Sequence, residues 1–533
     1  MAGTTKQKYD AIIVGGGHNG LVCGAYLARA GKSVLIVERN AHIGGAATTQ
    51  PICPGFRAST FSYLMSLLHP KIIRELDLEG LGLKILPATD MFTPLPGNDH
   101  IVLTGDVERN VKEFSRFSKK DAARYPKFAQ YLDAIADAAR GLMLETPIDP
   151  QDLSVGGMVR TARFLLNNKK IVKEFYGLYD ILTMSAYDFL SEWFESDIIK
   201  GVFAYYSGIG SYQGPKTPGS AYILLHHLMG EHEGAGGWGF IEGGMGKISE
   251  TIAQAGMRHG MQIVTNAAVS HIETRNNRAS TVVCEDGTEY EGAVIASNIS
   301  AKTLFGKMVK SAEVPDDYRW HLETFRTESS AAKINVACER LPQFTAFDPV
   351  VCGFEYPSYA HVAPDVEYLE RAYAEAKDGW YSERPFVTVT APTTVDKTLA
   401  PPGKHVVNLF CGHAPYTLRG GANWEEHRQK FADRVLDAIE VFAPGFRNDI
   451  IAMQVLVPPD IEKLIGSPNG HIFHGELSID QLFFKRPAPH YADYRTPVRA
   501  LYLCGSTTHP GGGVSGVSGH NAARQILKDW SRL

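Results

Sequence analysis

The chain has little of what marks several common functional classes. Cysteine is sparse and scattered: Cys23, Cys53, Cys284, Cys338, Cys352, Cys411 and Cys504 make an odd set with no Cys-x-x-Cys pair. That spacing argues against a disulfide scaffold, a zinc ribbon and a dithiol redox centre, and it fits a reducing, cytoplasm-like compartment. Excess positive charge is also missing. The 53 Lys and Arg are outnumbered by 58 Asp and Glu, for a formal net charge of −5, so nucleic acid is not an expected partner. No window of about 18 uninterrupted apolar residues occurs, which argues against a membrane-spanning helix. Met1 to Asp10 carries Lys6 and Lys8 but no apolar core, unlike a signal peptide or a transit helix. His226, His227 and His232, and the set His471, His474 and Glu476, lack a sound metal-ligand spacing, so no metal is expected.

What is present is a chain of 533 residues with 44% hydrophobic content, enough for two or three lobes. Its 52 glycines and 29 prolines are interspersed with apolar runs, as turns and close backbone approaches require.

The N-terminal pattern is specific. Tyr9 to Val14 is a short apolar run of the kind buried in a parallel sheet. Gly15-Gly16-Gly17-His18-Asn19-Gly20 follows and satisfies Gly-x-Gly-x-x-Gly, then Leu21 to Ala30 reads as a helix ended by Gly31. Ser33 to Val37 is a second strand that delivers Glu38. In this order Gly15 allows a tight turn, Gly17 admits a pyrophosphate against the backbone, and Gly20 lets the helix pack closely. The helix N-terminus favours the phosphates, and Glu38 can accept hydrogen bonds from an adenosine ribose. A dinucleotide is therefore the expected ligand.

Past Glu38 and Arg39 lies a second glycine pair, Gly44-Gly45, followed by Ala46. The pair resembles the extended fingerprint of flavoproteins in the amine oxidase and phytoene desaturase superfamily, in which an arginine often stands where this chain has Ala46. No second strand-linked Gly-x-Gly-x-x-Gly supports a separate NAD domain, so FAD is favoured over NAD. Near the other end, the strand-like Ala500 to Cys504 runs through Gly505-Ser506-Thr507-Thr508-His509-Pro510-Gly511-Gly512-Gly513-Val514-Ser515-Gly516 into a helix at Gly519 to Leu527. This segment resembles the C-terminal flavin-binding motif of carotenoid desaturases. Together with Gly470 to Pro489 and the Gly-Gly-Met element in Trp238 to Ile248, it resembles a narrower group, the pyridine nucleotide-disulfide oxidoreductase domain-containing protein 2 family. The matching stretches are Tyr9 to Tyr63, Gly237 to Thr251 and Gly470 to Ala523.

The resemblance implies an α/β architecture: a Rossmann-type FAD-binding domain of the glutathione-reductase and amine-oxidase kind, with an inserted α+β substrate domain. The FAD domain is expected to be discontinuous (1–75, 237–302 and 455–533), with 76–236 and 303–454 forming the substrate lobe. Strands within Gln262 to Ser297, turning at Asn276-Asn277 and Glu285-Asp286-Gly287, would rejoin the parallel sheet at Ala293 to Ala296. The expected cofactor contacts are Gly15, Gly17, His18, Asn19, Gly20, Glu38 and Arg39, then Gly44, Gly45, Ala46, Ser59 and Val269. At the far end they are Gly505, Ser506, Gly512, Gly513, Val514 and Gly516. His509 is expected beside the flavin ring and is the candidate catalytic residue.

The expected activity is hydride removal from a hydrophobic small molecule, unsaturated or saturated, by a desaturase, dehydrogenase or oxidase. Flavin amine oxidase, reduced-flavin polyene isomerase and non-catalytic flavoprotein remain as alternatives. Val159 to Phe194 is rich in Leu, Phe, Tyr and Met and carries Lys169, Lys170 and Lys173. It reads either as packed helices of the substrate lobe or as a mouth at a membrane surface. Oligomeric state is not legible.

Overall fold

A computed structural model describes residues 7–230, 238–309 and 314–533. His232 and Gly237 lie outside the described residues.

The apolar runs near the N-terminus form the centre of a seven-stranded sheet. Strand Gln7–Val14 pairs in parallel with Val34–Val37 on one side and with Glu289–Ser297 on the other. Val34–Val37 passes on to Gln262–Val264, and Leu501–Leu503 joins the end of Glu289–Ser297, both in parallel. The strands Val269–Arg275 and Arg278–Cys284 extend the sheet in antiparallel fashion. Asn276 and Asn277 both take positive φ (50° and 53°), as a two-residue hairpin turn demands. Side-chain alternation explains why both sheet faces are dry. Ala11 and Ile13 pack with the helices His18–Arg29, Gly246–Met257 and Val517–Asp529, while Ile12 and Val14 pack with Ile272, Val282 and Tyr318 on the opposite face.

A second seven-stranded sheet runs in the order Ile450–Leu456, Ala331–Cys338, His405–Gly412, Phe386–Thr390, Tyr359–Val362, Met91–Leu95 and Asp99–Leu103. Ala332, Ile334 and Val336 face helix Trp424–Glu440 in one core. The alternate positions Ala331, Lys333 and Asn335 face the other way, towards the first domain. Helices between Lys119 and Leu228 cover that side around an aromatic core that includes Phe128, Phe194 and Phe203.

The expected α/β architecture is present, and packing crosses two of the expected domain boundaries and joins one hairpin to the second sheet. Position 455 falls inside Ile450–Leu456, which pairs with Ala331–Cys338 as far as Leu456. Leu304, Tyr318 and Leu322, assigned from sequence to the substrate lobe, are buried with Ile12 and Val14 in the first domain. The hairpin Thr49–Cys53 and Phe56–Ser59, assigned to the first domain, packs Phe56 and Ala58 against Ala337 and Val406 of the second sheet. Among the described residues no helix is long and apolar enough to cross a membrane.

Candidate functional site

The turn after the first strand is a backbone construction. Gly15 takes φ +99°, and its N–H donates to the Val37 carbonyl at 2.9 Å. Glu38 is buried and closes the turn: its carboxylate accepts from Gly16 N–H at 2.7 Å and from Asn40 N–H at 2.9 Å. The second glycine pair folds onto the first, with Gly44 N–H donating to the Gly16 carbonyl at 2.8 Å. A Cβ on Gly45 would stand 3.3 Å from the Gly17 Cα, and one on Gly17 would stand 2.6 Å from the Asn298 Nδ2. Gly45 takes φ +57°, where a side chain is strained, and a side chain on Gly17 requires Asn298 to move.

These residues line one end of a groove. Gly15, Gly17, His18, Asn19, Glu38, Arg39, Gly45, Ala46, Val269 and Ser506 all border it. The groove continues into a second, largely apolar cavity between loops of the first domain and the second sheet. His18, Ala46, Ile465, His474 and Ser506 line both, and Gly513 and Val514 border the second. Ten of the expected contacts thus border the first part, and two more join in the second.

Six expected contacts stand behind the groove instead. A Cβ on Gly20 would meet the Gly15 carbonyl oxygen at 2.3 Å, so Gly20 serves helix packing. Gly44 holds Gly16, and the Ser59 hydroxyl accepts from Met245 N–H at 3.0 Å. Gly505 backs onto Asn298, Gly512 backs onto Phe473, and Gly516 takes φ +73° where helix Val517–Asp529 begins. These residues shape the site and leave its lining to others.

His509 lies within the closing glycine run and lines a pocket other than the cavity. Its Nε2–H donates to the Leu142 carbonyl at 2.9 Å, and its ring lines a small apolar pocket with Leu178 and Ile181, away from the cavity beside Gly513 and Val514. Burial, with Arg486 nearby, lowers its pKa to about 4 despite the bond to Leu142. The ring is neutral at neutral pH and already engaged.

Several residues that motif reading overlooked complete the site. Lys333 lines the cavity while fully enclosed, and burial pulls its pKa down to about 7. Its Nζ donates to Asn335 Oδ1 and, at 3.2 Å, to Asn408 Oδ1, with the Tyr63 ring centroid 5.3 Å away. The signal was a lysine at an inward-facing position of the strand-like run Ala331 to Ala337. Arg486 is fully buried and donates to the carbonyls of Phe473, Glu476, Gln481 and Ser506, stapling the Gly470 to Pro489 segment to the closing glycine run. Tyr63, Trp238, Phe410 and Phe473 give the cavity aromatic walls.

Two of the histidines weighed as metal ligands are engaged in other bonds. His227 Nδ1–H donates to the Ile223 carbonyl at 2.8 Å, and the His471 Nε2 contacts Glu476 at 3.3 Å while its Nδ1 accepts from Phe473 N–H. Among the described residues no group of three or more His, Cys, Asp or Glu is arranged around a metal position. All seven cysteines are free. Cys23 and Cys504 meet in the core, where burial and their mutual hydrogen bond hold the Cys504 thiol well above its usual pKa, the reverse of what a reactive thiolate requires.

Three buried polar atoms test whether a ligand fits the groove. Asn19 Oδ1, His474 Nδ1 and His226 Nε2 have no protein hydrogen-bond partner. Asn19 faces the groove, His226 faces the cavity, and His474 stands where the two meet. Burial holds His474 and His226 to pKa values of about 3, so both are neutral and able to accept or donate. Glycine backbone at one end, orphaned polar atoms along the path and an apolar cavity at the other end suit an elongated dinucleotide with a flat ring.

Comparison with known proteins agrees with this geometry. Residues 13–76 match the NAD(P)-binding Rossmann-like domain. The chain is 39% identical to rat (Rattus norvegicus) pyridine nucleotide-disulfide oxidoreductase domain-containing protein 2, over 100% of this chain and 95% of the relative. It is 26% identical to one of the subunits of limonene dehydrogenase from Castellaniella defragrans, over 98% and 95% of the two chains. Identity to the lycopene-forming phytoene desaturase of Pantoea ananas is 25%, over 95% and 96%. A solved structure of a redesigned putrescine oxidase has the same fold, with a TM-score of 0.63 at 14% identity, covering 99% of this chain and all of that one.

Proposed function

The chain belongs to the pyridine nucleotide-disulfide oxidoreductase domain-containing protein 2 family, and from that premise we propose that it is an FAD-dependent oxidoreductase taking a hydride from a hydrophobic, unsaturated small molecule. The observation that carries this reading is the continuity of the glycine-built groove with the apolar cavity. Glu38 and Val269 would hold the adenosine end. Gly15, Gly17, Gly45, His18 and Asn19 would hold the pyrophosphate. Ala46, Ser506, Gly513 and Val514 would border the ring. Two relatives named for acting on limonene and phytoene support an apolar substrate class.

Bound FAD supplies a two-electron acceptor, and the protein contributes orientation and a dry enclosure. Phe410, Phe473 and Leu67 would press an apolar substrate against the ring and keep water out. Desaturation also releases a proton from the neighbouring carbon, and Lys333 is the cavity residue poised to receive it near neutral pH. We assign His509 to holding Leu142 and leave it out of proton transfer.

A second reading, amine oxidation, is favoured by the aromatic wall of Tyr63, Trp238 and Tyr359 along the cavity, a surface that attracts a cationic amine. An anaerobic visible spectrum of the purified protein separates the two, with the released cofactor identified. The expected result is FAD that is bleached by apolar alkenes and left oxidised by NADH and NADPH. Bleaching by amines alone would establish the second reading, and bleaching by nicotinamide would overturn both.

A further inference from the structure

Helix Val155–Asn167 stands almost free of the protein, with Gly157 its one buried residue. At helical spacing its side chains divide into three faces. Gly157, Thr161 and Phe164 turn towards the protein, Arg160 and Arg163 lie on a flank, and Val155, Met158, Val159, Leu165 and Leu166 point to solvent. The outward residues are not marginal exposures: Val155 is 75% and Leu166 68% accessible. Helices of this length are weak in water without an apolar face packed on something, so a face turned outwards is energetically out of place. Lys169–Lys173 and Phe175–Thr183 continue it, with Phe175, Tyr176 and Tyr179 exposed, Tyr176 to 82%.

Cations also predominate on this face, with five Arg and Lys against Glu174 and Asp180 within 155–183. Arg160, Arg163, Lys169, Lys170 and Lys173 are all exposed, on a chain whose net charge is −5. Arg160, Lys170 and Lys173 contact Asp152, Asp137 and Glu174, but these are exposed pairs that solvent screens and that exchange readily. An apolar stripe flanked by cations, with aromatic residues at one end, is the composition that lies in a lipid headgroup layer.

We propose that the face formed by Val155–Asn167, Lys169–Lys173 and Phe175–Thr183 docks on an anionic lipid bilayer. A second copy of the chain suits it less well, because a two-fold contact would set the cationic flank against itself. Beneath the face, Leu178, Ile181 and Leu182 roof the small apolar pocket that also touches Gly512 and His226, and His226 lines the substrate cavity too. On the reading of an apolar substrate given above, His226 is the wall that separates this pocket from the cavity. The docking itself does not depend on that reading.

The test is co-sedimentation of the full-length flavin-loaded protein with phosphatidylcholine vesicles that contain phosphatidylserine, against phosphatidylcholine alone. Binding to the anionic vesicles is expected, weakened about tenfold by Lys169→Glu and abolished by Leu166→Glu with Tyr176→Glu. Because these positions are exposed, flavin content and thermal stability should stay at the parent level. Anionic binding that the double substitution leaves intact would overturn the proposal. So would no binding at all, or a dimer in solution that the same substitutions dissociate. Flavin reduction by short apolar alkenes, measured without vesicles, reports on the chemistry separately.

Discussion

The groove and the cavity adjoin, yet they are built from different material. The groove is made of main chain: Gly15, Gly17 and Gly45 present bare backbone, and a carboxylate bonded to Gly16 and Asn40 fixes their path. The cavity is made of side chains from the second sheet, from loops of the first domain and from neighbouring helices, with Tyr63, Trp238, Lys333, Phe410 and Phe473 among its walls. Backbone sites resist added bulk, because the positive φ of Gly15 and Gly45 strains a side chain and Asn298 stands beside Gly17. Side-chain sites can be refitted one residue at a time. One fold can therefore keep its cofactor end and change what it oxidises.

The largest expected effect comes from breaking the backbone side of that contrast. Gly17→Val should abolish flavin retention, a weakening of at least about a hundredfold, read from the visible-to-ultraviolet absorbance ratio of purified protein. Gly17→Ala combined with Asn298→Ala removes the atom that a Cβ would strike at 2.6 Å, so it should recover part of the flavin. Full flavin in Gly17→Val would disprove the groove assignment.

Lys333→Met sharpens the contrast from the cavity side. Flavin should be retained, while substrate-driven bleaching at pH 8 falls by about ten- to a hundredfold. In the parent, bleaching should rise with pH through about 7 as Lys333 loses its proton, and the variant should show no such rise. The stability sign runs the same way. An unfolded lysine titrates near 10.4, so the unfolded chain holds a proton that the folded one lacks between about pH 10 and 7. This residue's contribution therefore declines as pH falls across that window, and the decline should vanish in the variant. A pH profile unchanged by Lys333→Met would remove the residue from proton transfer.

The same contrast explains what could be read from the chain. The turn from Val14 to Glu38 was legible because glycine spacing, helix and acid lie within one stretch and each has a steric reason. The closing glycine run was legible for the same reason, although which of its residues line the site was not. Gly505, Gly512 and Gly516 look alike in sequence but differ in whether Asn298, Phe473 or a helix start stands behind them. Lys333 escaped notice because its meaning depends on burial beneath a loop carrying Tyr63, hundreds of positions earlier. The boundary expected at 303 is crossed because Tyr318 and Leu322 pack on the far face of the first sheet, a contact that local pattern does not encode.

His509 marks the edge of the contrast, since it lies in the glycine run yet belongs to neither groove nor cavity. Its Nε2–H is committed to the Leu142 carbonyl, and its pocket faces Leu178 and Ile181. His509→Gln keeps a donor of similar reach, so the flavin bleaching rate should change by less than about threefold, well under 1.4 kcal/mol of barrier. The dependence on Lys333 ionisation should persist. Stability is where the substitution should register. With its folded pKa lowered to about 4 by burial, His509 contributes stability above the ordinary histidine value near 6.5 and loses it as pH falls from there towards 4. Chemical denaturation at pH 7 and pH 5 should therefore show a smaller acid loss for His509→Gln than for the parent. A hundredfold drop in bleaching with a shifted pH profile would instead put the ring in contact with the reacting atoms, and it would make the closing glycine run a source of catalysis as well as shape.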